Sequence, residues 1–109
     1  MMVEADEVRT PDIVLAEISR KYVRERAEGR RVRSRLETIT SASLVTPVGL
    51  EVAMKAGEAF LELAERAAKR RHRTPSLFDA IILATARVYD SKVLTGDEHF
   101  EGLSETVPI

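Results

Sequence analysis

Cysteine, asparagine, glutamine and tryptophan are all absent from this chain, and it carries only two histidines, His72 and His99. Without cysteine there is no disulfide framework, no thiolate zinc site and no cysteine nucleophile. Two histidines exclude a histidine-rich metal site, so any metal has to be held by carboxylates, which suits hard cations such as Mg²⁺ or Mn²⁺. No run approaches the ~18 apolar residues of a membrane span, and the N-terminal residues lack a signal-peptide pattern. A cytoplasmic protein with no membrane partner is expected. The loss of thermolabile amides, beside 32% charged residues, is a composition expected of a thermophile. At 109 residues and 12.2 kDa, one domain spanning 1–109 is expected.

The formal net charge is -1, but the charges are segregated. Between Arg20 and Arg35 stand eight Lys or Arg residues against two Glu, and Lys69-Arg70-Arg71-His72-Arg73 forms a second basic cluster. Such clusters either attract phosphate backbones or are solvated helix faces. Acidic residues gather in Glu4-Ala5-Asp6-Glu7 and after Gly96.

Short strand-like runs alternate with helical ones. Glu7 to Thr10 reads as a strand end, and Thr10-Pro11-Asp12 as an N-cap, a first-turn proline and an acidic first turn. The helix that follows carries Val14, Leu15, Ile18, Tyr22 and Val23 on one side and ends near Gly29. A short polar helix from Arg31 to about Thr40 is expected next, then a buried strand over Ser43 to Val48. The strongest helix runs from Leu50 to about Arg71, with Leu50, Ala53, Met54, Gly57, Leu61, Ala64 and Ala68 at three- and four-residue spacing. Thr74-Pro75 breaks it. Ser76 caps a helix from Leu77 to about Tyr89, apolar nearly all round, as a central helix would be. Lys92 to Thr95 reads as a further strand, Glu98 to Leu103 as a short helix, and Thr106 to Ile109 as an edge strand. Strands separated by helices, without hairpin signals, imply an α/β fold with a parallel sheet. The alternative is a helical bundle whose apolar runs are helix ends.

Glu17, Asp79 and Asp97 stand among apolar neighbours, each just after a strand or early in the following helix. At the carboxyl edge of a parallel sheet such positions gather, and a divalent cation relieves the mutual repulsion of clustered carboxylates. Each has a plainer explanation. Ser76-Leu77-Phe78-Asp79 fits a capping box, Asp97 suits an N-cap, and Glu17 is spaced to pair with Arg20 or Lys21.

Four stretches carry a family resemblance. They are Thr10-Pro11-Asp12-Ile13-Val14-Leu15-Ala16-Glu17-Ile18, the Thr46-Pro47 turn, Ser76-Leu77-Phe78-Asp79-Ala80-Ile81-Ile82-Leu83-Ala84-Thr85-Ala86, and Lys92-Val93-Leu94-Thr95-Gly96-Asp97-Glu98-His99-Phe100. The chain resembles the PIN-domain family, in particular the small VapC-type toxins. The resemblance implies an RNase H-like α/β sandwich, a parallel sheet flanked by helices, and a metal-dependent endoribonuclease usually neutralised by an antitoxin protein. By the same resemblance Glu17, Asp79 and Asp97 match the second, third and fourth family acids, holding Mg or Mn, and Thr95 matches a polar residue near the metal. Arg20, Lys21, Arg71 and Arg73 are candidates for holding RNA phosphates.

The family pattern opens with a strand bearing an aspartate and a helical hairpin, a unit of roughly 30 residues. No counterpart precedes Thr10, and neither Asp6 nor Asp12 follows an apolar strand. An N-terminally truncated PIN-like sheet is therefore expected, lacking its central strand and first acid. An upstream start, complementation by another chain, or an inactive remnant would each account for it. The last two lead to a second reading, a non-catalytic module for oligomerisation or partner binding. A third is an RNA-binding scaffold without hydrolysis, for which 5% aromatic residues offer little stacking surface. A sheet missing its centre is expected to form a homo-oligomer, most simply a dimer, through Val8, Ile13, Val14, Ile82 or their neighbours.

Overall fold

The computed structural model describes residues 8–95, 99 and 102–108. In order these form β1 (Arg9–Pro11), α1 (Asp12–Arg24), α2 (Gly29–Ala42), β2 (Leu44–Thr46), α3 (Leu50–Arg70), α4 (Leu77–Val88), β3 (Val93–Thr95) and β4 (Thr106–Pro108). The alternation of strands and helices is that expected. The expected single sheet is instead two parallel pairs among the described residues: β1 with β2, and β3 with β4. Arg9 lies opposite Leu44 in the first pair, and Val93 opposite Thr106 in the second.

Helices α3 and α4 build the core. Ala59 and Leu63 of α3 meet Ala80, Leu83 and Ala86 of α4, with Phe60, Ile82 and Leu103 against them. Val52 and Ala56 meet Ile81 and Ala84, beside Val48 and Val88. Alanine dominates the contact, so the two helix backbones can approach closely and fill the interface without long side chains. Six of the twelve residues of α4 are buried, which makes it the central helix expected. Its start is set by a complete capping box. The Ser76 hydroxyl accepts from the Asp79 backbone N–H at 3.1 Å, and the Asp79 carboxylate accepts from the Ser76 N–H at 2.9 Å.

Helix α3 presents to the core a different face from that expected. The residues it buries are Val52, Ala56, Ala59, Leu63 and Ala67, whereas Leu50, Met54 and Leu61 are 75%, 63% and 60% exposed. This helix carries two apolar stripes, and periodicity alone does not say which one meets α4.

Three local expectations are corrected. Pro11 is the last residue of β1 and the N-cap of α1, so Asp12 opens the helix, without a side-chain cap. Helix α1 ends at Arg24 rather than near Gly29, where Arg26 turns the chain at φ 64°. Strand β2 is not buried: Leu44 and Val45 are 47% and 42% exposed, and only Thr46 is covered. Successive strand residues point to opposite faces, so β2 leaves apolar surface exposed on both sides, while Pro11 and Thr46 are covered. Parallel sheets are ordinarily covered on both sides.

Beneath β1 lies a cleft of about 400 Å³. Val8, Thr10 and Pro11 line one wall, Ser91 and Lys92 stand at the approach to β3, and Ile82, Thr85 and Ala86 of α4 also line it. The cleft thus runs from the first strand pair towards the second.

Candidate functional site

Glu17 sits on α1, half-buried, with both carboxylate oxygens occupied. The Arg20 guanidinium donates from Nε to Oε1 at 2.7 Å and from Nη2 to Oε2 at 3.0 Å. The pairing follows from three-residue helical spacing, and it is the plainer role that the sequence allowed for this glutamate. It also gives Arg20, whose side chain stays 62% exposed, a carboxylate partner.

Asp79 is likewise half-buried and spends Oδ2 on the capping box. Its Oδ1 accepts no hydrogen bond from the described residues. Because α1 and α4 pack against each other and both touch β1, Glu17 and Asp79 belong to neighbouring elements. Asp97 lies outside the described residues, as does the side chain of Thr95, whose backbone closes β3 opposite Pro108. Among the described residues no three His, Cys, Asp or Glu side chains form a group able to hold a metal ion. The carboxylate oxygens of Glu17 and Asp79 are of the right type for a hard cation. Asp79 keeps Oδ1 without a hydrogen bond from the described residues, whereas each Glu17 oxygen already accepts one from Arg20.

The basic run from Arg20 to Arg35 folds as a helical hairpin. Its cations divide into paired and unpaired ones. Arg33 bonds Glu37 at 3.2 Å, and Arg30 stands 3.7 Å from Glu28. Lys21, Arg31 and Arg35 have no ion-pair partner among the described residues, and they line one surface groove with Ile18, Tyr22 and Glu25. Arg31 and Arg35 are one helical turn apart, which puts both on the same face of α2. Neither stood out in the sequence, although their four-residue spacing on a helix was the available signal. Arg71 and Arg73 are exposed at the far end of α3, where Arg71 adopts the left-handed cap at φ 58°.

Two further groups escaped sequence reasoning. Arg9 of β1 donates to the Thr46 hydroxyl at 3.3 Å and lies 4.4 Å over the Tyr89 ring. Arg87 of α4 grips Glu62 of α3 with two bonds of 2.9 Å and Glu105 with one of 3.0 Å. The Arg87 hydrogen bonds hold the Glu62 carboxyl below the ordinary carboxylate value, against a smaller opposing effect of burial. The same contacts push the Arg87 guanidinium further up. No described helix is long and apolar enough to cross a membrane.

Comparison with known proteins adds one match. A family model described as PIN domain matches residues 2–105. No curated protein and no solved structure matches.

Proposed function

Because the chain belongs to the PIN domain family, whose members are generally nucleases, we propose that it is a metal-dependent endoribonuclease of the VapC toxin type, built as one PIN-like domain. The observation that carries this reading is the family match across residues 2–105, a span that includes Glu17, Asp79 and Asp97. Glu17, Asp79 and Asp97 would hold Mg²⁺ or Mn²⁺. When bound, the cation supplies Lewis-acid stabilisation of the charge that develops on the phosphodiester. Asp79 is positioned for this by its capping box, which fixes the carboxylate while leaving Oδ1 available. Thr95 would stand beside the cation. Lys21, Arg31 and Arg35 bind and orient RNA phosphates along the α1–α2 groove, and Arg71 and Arg73 extend the basic surface. An antitoxin protein would be the controlling partner.

The reading includes an incomplete sheet. We infer that the two parallel pairs among the described residues are parts of one sheet open at its centre, a reading that the cleft beside β1 supports. Completion would come from another segment or a second copy, giving a homo-oligomer. The second reading, a non-catalytic PIN-like partner-binding module, is favoured by one observation: both Glu17 oxygens are held by Arg20.

Thermal melts with and without Mn²⁺ decide between them. Mn²⁺ at 100 times its Kd stabilises by about 2.7 kcal/mol through mass action, and Asp79→Asn abolishes the effect while Asp12→Asn leaves it intact. Ribonuclease activity on a labelled RNA follows the same pattern. Equal stabilisation of the wild type and Asp79→Asn would overturn the metal site.

A further inference from the structure

The apolar stripe of α3 that the fold does not use has a pattern of its own. Leu50, Met54, Gly57, Leu61, Ala64 and Ala68 follow one another at alternating four- and three-residue steps along a 21-residue helix. All are exposed except the half-buried Ala64. Alternating steps of this kind keep a seam straight along one side of a helix, which is the pattern that receives a second helix. A seam with three large apolar side chains at 60–75% exposure is unusual for a surface that faces only water.

Gly57 in mid-seam strengthens the point. A glycine inside a helix weakens it, and here a Cβ added at this position would meet nothing within 4 Å. The fold of this chain therefore gives no reason for glycine. A notch at the middle of an exposed seam does give one, since it lets a partner's side chain or backbone come close.

Charge identifies the partner. Glu51, Glu58 and Glu65 are exposed at seven-residue intervals, each directly after a seam residue, and make that flank net acidic although Lys55 stands 3.8 Å from Glu58 and Lys69 follows Ala68. The opposite flank is Ala53, Phe60 and Ala67, which carries no cation; Ala53 is exposed, while Phe60 packs on the core and Ala67 is buried. A second copy would bring glutamates against glutamates if antiparallel, or against this apolar flank if parallel. Neither is complementary. An RNA phosphate backbone is repelled by the same row.

We propose that the Leu50–Ala68 seam is a docking surface for an amphipathic helix of another protein, with apolar residues at three- and four-residue spacing and Lys or Arg beside them. The cations meet Glu51, Glu58 and Glu65, and one apolar side chain fills the Gly57 notch. This surface is separate from the carboxylates and the basic groove, so the inference stands whether or not the nuclease reading holds.

The test uses a labelled 21-residue helical peptide with leucine at this spacing flanked by lysine, and the same peptide flanked by glutamate. Fluorescence anisotropy on the intact chain is expected to give binding of the lysine peptide at least ~10-fold tighter than of the glutamate peptide. Met54→Lys/Leu61→Lys loses that binding while keeping the wild-type melt, because both positions are exposed. Glu58→Lys/Glu65→Lys inverts the preference. Gly57→Leu weakens binding without lowering the melting temperature. Failure of both peptides to bind overturns the proposal, as does equal binding to wild type and Met54→Lys/Leu61→Lys. A wild-type dimer that Met54→Lys/Leu61→Lys dissolves overturns it in favour of a second copy.

Discussion

Arg87 shows how one side chain can tie distant pieces of this chain together. It joins α4 to Glu62 of α3 and to Glu105 near β4, and its side chain is 30% exposed. Removing it takes from Glu62 and Glu105 the cation they share, leaving Glu62 only the weaker influence of Arg66. The pH dependence has a definite sign. Glu62 titrates lower in the folded chain than its ordinary value of 4.5, so its contribution is fully present above pH 4.5 and is lost as pH falls through the folded value. Melting temperatures of wild type and Glu62→Gln are therefore expected to differ at pH 7 and to converge on acidification below pH 4.5. The gap is modest, because Glu62 remains 42% exposed and solvent screens the pair. A gap that widens on acidification would contradict this account.

At the scale of elements, α3 offers the sharpest contrast between sequence and structure. Its length was legible within a residue, because the apolar periodicity begins at Leu50 and the Thr74-Pro75 break lies just past its end. Its buried face was not, because both stripes are apolar and only the shape of α4 decides between them. Leu63→Ala is expected to cost about 2–5 kcal/mol, as a fully enclosed leucine should. Leu61→Ala, two residues earlier, is expected to stay within about 0.5 kcal/mol of wild type. Urea denaturation of the two variants checks the assignment, and similar losses for both would mean that Leu61 is covered after all. The capping box at Ser76 and the pairing of Glu17 with Arg20 were legible too, since each is a local rule of spacing. The α1–α2 groove was not, because Lys21 and Arg35 meet only through tertiary packing.

Across the whole molecule the two strand pairs bear on the proposed assembly. Strands β1 and β3 each find one partner among the described strands, and a two-stranded sheet is marginal in water. With Val8, Leu44 and Val45 more than 40% exposed, this end of the molecule has apolar surface available for a neighbour. Sedimentation equilibrium at low micromolar concentration is expected to show an oligomer that Val8→Asp dissociates while α3 and α4 stay helical. A monomer of 12.2 kDa with one cooperative melt would show that the chain is self-sufficient.

The placement of the core also bears on how the chain is made. Nothing in α1 is buried, and α2 buries only Val32, whereas both apolar clusters draw on residues from Val52 onwards. During synthesis at ~5–20 residues per second, the first half leaves the ribosome with no floor to settle on. The core is therefore expected to close only once α4 has emerged, with the basic hairpin solvated until then.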